Sequence, residues 1–171
     1  TQINRVLRMF ESLLVSAFGE GSTKKAKGDE SKGNPDAAMV AIESLFLFSV
    51  VWSVAANTDT EGRKKFSEFF GALTRGRAPS IEGVHIATEF ATRKAKVPFP
   101  ESKASADDER LVYDYVFNKA TATWQDWMET IPAYTVPAGS QFNDIIVPTL
   151  DTVRYSWLLE LLIKGGKHVL F

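Results

Sequence analysis

The sequence holds one glycine–lysine grouping that could in principle do chemistry, Gly165-Gly166-Lys167. Glycines followed by a lysine are the raw material of a phosphate cradle, in which backbone N–H groups and an ammonium hold anionic oxygens. Such a cradle leaves the C-terminal end of a strand and opens a helix. Here the triplet follows a helical pattern and precedes the apolar run Val169-Leu170-Phe171, so it stands on the wrong side of the strand. The full spacing G-x-x-x-x-G-K-[ST] does not occur, nor does a G-x-S-x-G elbow, an H-E-x-x-H pair or an EF-hand loop. Carboxylates gather at Asp59 and Glu61 and at Asp107, Asp108 and Glu109, in polar stretches where solvated charge is expected. The two histidines, His85 and His168, lie in unrelated contexts, which argues against a histidine-built metal site. Cysteine is absent, so thiolate and disulfide chemistry are excluded. These residues alone make no catalytic constellation.

Twenty Lys and Arg against twenty-one Asp and Glu give a net charge of −1 over 171 residues. That balance lacks the basic excess of a general nucleic-acid binder. It also weighs against reading Trp124 and Trp127 as base-stacking platforms. A hydrophobic fraction of 44% suits a packed core. The start, Thr1-Gln2-Ile3-Asn4-Arg5, has no basic or apolar leader and falls inside an amphipathic pattern, which suggests an excerpt of a longer chain.

The elements that must position any functional group are mainly helical. Ile3, Val6, Leu7, Phe10, Leu13, Leu14 and Ala17 recur at steps of three and four, which predicts a helix over 2–18 stopped by Gly19. Residues 19–34 contain no large apolar side chain and read as a mobile loop. The stretch 37–56 carries one formal charge, Glu43, and is long enough to span a bilayer. Its serines and its flanks, which lack Lys and Arg, favour the buried central helix of a cluster over 36–56. Thr58 or Asp59 can cap a third helix over 60–75, ended by Gly76.

Prolines at 79, 98 and 100 and the polar run 101–109 predict linker and exposed loop. Leu111 to Phe117 reads as a strand, Asn118-Lys119-Ala120 as a turn and Thr121 to Trp127 as the returning strand. Phe142 to Thr149 is extended and ends at Pro148. Thr149 or Asp151 then caps a last helix lined by Val153, Trp157, Leu158, Leu161 and Leu162. Gly165-Gly166 closes it, and Lys167 to Phe171 is expected to begin a buried strand. The fold expected is mainly α, with a small β-hairpin connector and the truncated start of an α/β P-loop module.

Two groups of residues then become specific. Phe142-Asn143-Asp144-Ile145-Ile146-Val147-Pro148-Thr149-Leu150-Asp151-Thr152-Val153-Arg154-Tyr155, with Leu158-Leu159 and Lys167 to Phe171, resembles the opening of the third AAA+ module of a dynein heavy chain, just before its Walker A loop. Ile42 to Val54 and Arg63 to Phe69 resemble the helical small subdomain that closes the second module, and Val112 to Phe117 with Trp124 and Trp127 resembles the joining segment. The likeness leaves out the loops 19–34 and 76–110, and its flavour is axonemal rather than cytoplasmic.

The resemblance implies three parts: a small subdomain over 1–76, a connector over 77–132 and the start of the next large subdomain over 133–171, ending before the P-loop. It implies a piece of an ATP-driven microtubule motor that relays nucleotide-dependent movement between modules and is inactive as an ATPase alone. Ile145, Ile146, Val147 and Pro148 are the nucleotide contacts it carries over, bordering the adenine of ATP or ADP in the parent motor. A buried strand is the plain alternative for the same four residues. Arg5 and Arg8 match no nucleotide-sensing position and are read as surface charge. The implied partners are neighbouring AAA+ modules of the same chain and, through the parent, microtubules and dynein subunits, with no nucleic acid and no membrane. The implied location is the cytoplasmic cytoskeleton, in the axoneme of a cilium or flagellum. A helical interaction or scaffold domain is the rival class, distinguished by whether the chain continues into a Walker A loop.

Overall fold

The computed structural model describes residues 2–19, 35–78, 93–101, 110–132 and 147–169, with single positions 135, 139, 141 and 143. The expectations for the loop 20–34, for His85, for the acidic run 107–109, and for Ile145, Ile146, Leu170 and Phe171 lie outside the described residues.

Helix α1 spans Gln2–Phe18 and buries Met9, Ser12 and Leu13. Gly19 ends it, its N–H donating to the Val15 carbonyl at 2.7 Å. Helix α2, Pro35–Val50, opens with a proline, whose missing N–H costs nothing in a first turn, and with Asp36 at the positive end of the dipole. It runs on into a π-helical turn, Val51–Ala55. By length and composition Pro35–Ala55 is long and apolar enough to cross a membrane. In this fold its inner side, Ala41, Leu45, Phe48, Val51 and Trp52, is the central column of the core. The outward Glu43 carboxylate accepts the Lys96 backbone N–H at 2.7 Å.

Helix α3, Thr60–Thr74, is capped by Asp59, whose carboxylate accepts from the Gly62 N–H at 2.8 Å. Its far end turns through Gly76 at φ 72°, with Gly76 N–H on the Leu73 carbonyl and Arg77 N–H on the Ala72 carbonyl, both at 3.0 Å. That pair of bonds is a Schellman stop, and it needs a left-handed residue that glycine supplies without a steric penalty.

The connector contains a two-stranded antiparallel sheet, β1 (Tyr115–Asn118) and β2 (Thr123–Asp126), with Phe117 opposite Trp124. The predicted strand from Leu111 begins later, because Val112–Asp114 forms a 3-10 turn that the Asp114 side chain closes by accepting the Leu111 N–H at 2.9 Å. Short polar side chains compete with the ladder for backbone donors in this way. Asn118 does the same at the hairpin bend, accepting from Ala120 N–H at 2.9 Å. A hairpin this small is marginal alone. Here it is held by its aromatics: Phe99 stacks on Trp124 with centroids 4.0 Å apart, and the Trp124 indole donates to the Val97 carbonyl at 2.9 Å.

Helix α4, Leu150–Lys164, begins at Thr149, whose hydroxyl accepts from Thr152 N–H. It ends in a second Schellman stop at Gly166, φ 65°, with Lys167 N–H on the Leu162 carbonyl at 2.9 Å. The expected strand from Lys167 is not formed over 167–169, where His168 is exposed and Lys167 and Val169 are half-buried. A strand needs a ladder partner, and the sheet among the described residues is the β1–β2 pair alone.

Phe48 is the hub of the core. Its ring lies edge-on to Trp157 at 5.6 Å and within 6.2 Å of both Trp52 and Trp127, while Trp127 meets Trp157 at 5.3 Å. One aromatic cluster therefore joins α2, the connector and α4.

Candidate functional site

The place where α4 meets the preceding helical cluster gathers the charged groups that the apolar core does not explain. Arg154 follows the buried stripe of α4, four residues before Leu158 and seven before Leu161, and is itself 8% exposed. One guanidinium nitrogen lies 3.3 Å from the Asp114 carboxylate of the connector; another pairs with Asp151 one turn earlier on α4. Its planar face lies 5.7 Å from the centre of the Trp52 ring and 5.3 Å from that of Tyr155. The charge is thus neutralised from both sides and covered by aromatic surface, the condition under which a buried guanidinium is tolerated.

The π turn supplies the other wall. The helix ends at Ala55, so the carbonyls of its last residues find no partner further along it. The Ala55 carbonyl accepts from the Tyr113 hydroxyl at 2.9 Å and the Thr58 hydroxyl at 2.7 Å, and Arg63 reaches the Ala56 carbonyl at 3.0 Å. Burial pushes the Tyr113 phenol above its ordinary pKa, against weaker opposing effects of Thr58 and the Arg63 charge. Arg63 also lies 5.5 Å from the centre of the Tyr113 ring.

Between these groups is a cleft of about 340 Å³ bordered by Thr60, Arg63, Tyr113, Asp114, Thr149 and Arg154. Both of its aspartates, Asp114 and Asp151, are engaged by Arg154. No group of His, Asp or Glu side chains fit to hold a metal ion occurs among the described residues. Through the contacts of Arg154 the first turn of α4 is held against Asp114 and the Trp52 ring of the π turn.

Of the predicted nucleotide contacts, Val147 is 58% exposed and Pro148 is half-buried, immediately before the Thr149 cap. Arg5 and Arg8 are exposed on α1. Sequence reasoning missed Arg154 and Asp114. A signal for Arg154 was present, a charged residue in phase with the apolar stripe of its helix. Asp114 was the single charge inside the aromatic run 111–117.

At its other end α4 meets α1. The Ser12 hydroxyl lies 2.5 Å from where a Cβ on Gly165 would stand, so the glycine is what allows the approach. Lys167 pairs with Glu11 at 2.6 Å, and the hydrogen bond and charge of that lysine hold the Glu11 carboxyl below the ordinary range.

A helical cluster bound through a connector to one further helix is the arrangement of a lid followed by the beginning of another module. Residues 1–129 match the family described as dynein heavy chain AAA lid domain, and residues 134–171 match the P-loop containing dynein motor region. The chain belongs to the dynein heavy chain family. It is 33% identical over 131 residues to dynein axonemal heavy chain 12 of Rattus norvegicus, covering 75% of this chain and 4% of that protein. It is 29% identical over 171 residues to dynein axonemal heavy chain 3 of Homo sapiens, covering 97% of this chain and 4% of that one. The dynein-1-alpha heavy chain of the flagellar inner arm I1 complex of Chlamydomonas reinhardtii is 28% identical over 76% of this chain and is 2% covered. The chain therefore spans a few per cent of the length of these relatives. No solved structure matches.

Proposed function

We propose that this chain is the joint between the second and third AAA+ modules of an axonemal, ATP-driven microtubule motor. Its parts would be the small subdomain over 1–76, the connector over 77–132 and the start of the next large subdomain over 133–171. The change of matched family between 129 and 134 supports the last of these divisions. The names of the relatives, axonemal and flagellar, support a place in a cilium or flagellum.

The observation that carries the reading is the ion pair from Asp114 to Arg154, which ties the lid-matched region to the helix of the P-loop region. A helix fastened at both ends moves with its support. Packed interfaces pass between discrete arrangements rather than deforming smoothly, so a rotation of the lid is handed to the next module. Ile145, Ile146, Val147 and Pro148 lead directly into that helix, and we assign them the edge of the adenine of ATP or ADP in the parent. Neighbouring modules of the same heavy chain, microtubules and other dynein subunits are the partners of that parent. In this reading the segment transmits and does not hydrolyse.

The test uses the full heavy chain. Asp114→Ala should leave nucleotide affinity in place and reduce microtubule stimulation of the ATPase severalfold, whereas Val147→Asp should weaken nucleotide binding. Unchanged stimulation in the first variant overturns the relay, and unchanged affinity in the second removes the adenine assignment.

A further inference from the structure

The outer sides of α1 and α2 carry apolar surface that the core leaves uncovered. On α2, Met39, Ile42 and Phe46 are 53%, 44% and 43% exposed; on α1, Leu7 and Ile3 are 54% and 71% exposed. The two helices run antiparallel, since Phe10 meets Phe46 edge to face at 5.6 Å while the Ser53 hydroxyl donates to the Arg5 carbonyl at 3.3 Å. These side chains therefore form one row, from Met39 to Phe46 along α2 and on through the half-buried Phe10 to Leu7 and Ile3 along α1. At the helical rise per residue the row is about 20 Å long. Scattered exposed apolar residues are ordinary, whereas a contiguous row of this kind marks an interaction surface.

Along α2 the row sinks into an open groove of about 420 Å³, lined by Phe10, Met39, Ile42, Glu43 and Phe46, with Arg93 and Lys96 on one bank. Both cations are exposed, and neither makes an ion pair among the described residues. The carboxylates near the row are already engaged: Glu43 accepts the Lys96 backbone N–H at 2.7 Å, and Glu11 pairs with Lys167. In a chain of net charge −1 this is a local surplus of positive charge beside an apolar floor. A second copy of the chain would bring the same two cations and no free carboxylate to the contact. A bilayer surface is broad and flat and does not enter a groove. A helix with a ridge of apolar side chains does, and acidic residues on its flank would meet the two cations.

We infer that this groove docks an amphipathic helix of a separate polypeptide, its apolar residues, three and four apart, on the row and its acidic residues along the one edge that faces Arg93 and Lys96. The surface belongs to α1 and α2 and does not depend on the joint proposed above, so the two can fail separately.

The probe is a synthetic helix of about four turns, with leucine at every third and fourth position, glutamate along one flank and alanine elsewhere. It is titrated into the methyl-labelled 171-residue chain and followed by NMR. The Leu7, Met39 and Ile42 methyl signals should shift saturably, while those of the core residues Leu158 and Leu161 stay in place. Ile42→Glu should abolish the shifts. Arg93→Glu with Lys96→Glu, both at exposed positions, should weaken binding about tenfold, and a probe carrying lysine in place of glutamate should bind this double variant better than it binds the parent. Absence of shifts, or equal affinity of the two probes for the parent chain, overturns the site. So does a dimer in sedimentation that Ile42→Glu dissociates, which gives the face to a second copy, or shifts with phosphatidylserine vesicles and not with the helix, which give it to a membrane.

Discussion

The two ends of α4 show how differently one helix can be fastened. At the N-terminal end a guanidinium 8% exposed sits between two carboxylates and over aromatic rings. At the C-terminal end a lysine meets a glutamate whose side chain is 63% exposed, and a glycine lets a neighbouring helix come close. Ions taken out of water lose hydration that only good pairing restores, so a buried pair contributes little net stability yet is costly to break on one side. A surface pair is screened and nearly free to remove. The first end therefore sets where α4 lies, and the second depends more on shape than on charge.

The largest effect that separates them is expected from Asp114→Ala. It removes the connector's partner of Arg154 and the acceptor for the Leu111 N–H. Breaking one side of a buried pair costs roughly 3–5 kcal/mol; with Asp151 still in place about 3 is expected. Urea unfolding of the chain measures it, and adding Arg154→Met should recover much of the loss, because no buried charge is then left unpaired. A loss below about 1 kcal/mol would mean that the pair behaves as a surface one. Gly165→Ala comes next, at about 1–3 kcal/mol, since the new methyl overpacks against Ser12. Ser12→Ala removes the 2.5 Å contact and should return part of it, and salt should leave both values unchanged.

The contrast also explains what the sequence made legible. Helix limits are written locally: Asp59 caps α3, Thr149 caps α4, and Gly76 and Gly166 take the left-handed stops. The 3.6-residue period likewise marks Leu158 and Leu161 as inward. What could not be read was anything settled by a distant partner. The phase of Arg154 with Leu158 and Leu161 marks its side as inward, but what neutralises it cannot be named until Asp114, forty residues earlier, is placed beside it. The Ala55 carbonyl at the end of the π turn accepts from the hydroxyl of Tyr113, fifty-eight residues later, which no local pattern announces. The strand expected from Lys167 failed over 167–169 for the same reason: β-branched and aromatic composition states a preference, and a ladder partner decides. The nucleotide-edge residues were named by resemblance, and only Val147 and Pro148 of the four lie among the described residues.

The smallest effect sharpens the comparison from the exposed end. The Glu11 carboxyl is held below its ordinary range first by the hydrogen bond from Lys167, then by that ammonium's charge; desolvation opposes them, and the charge of Arg8 adds the smallest lowering. As pH falls, the unfolded chain takes up this proton before the folded chain does. The contribution is therefore complete above the ordinary carboxylate pKa and is lost as pH falls through the lower folded value. Lys167→Met should move the Glu11 titration, followed by its side-chain carboxyl NMR signal, up toward the ordinary value. In high salt it should leave the neutral-pH unfolding midpoint indistinguishable from that of the parent chain. A Glu11 signal that still titrates low in this variant would transfer the cause to Arg8 and remove the lysine from the fastening of α4, leaving the Ser12–Gly165 approach as its whole basis at that end.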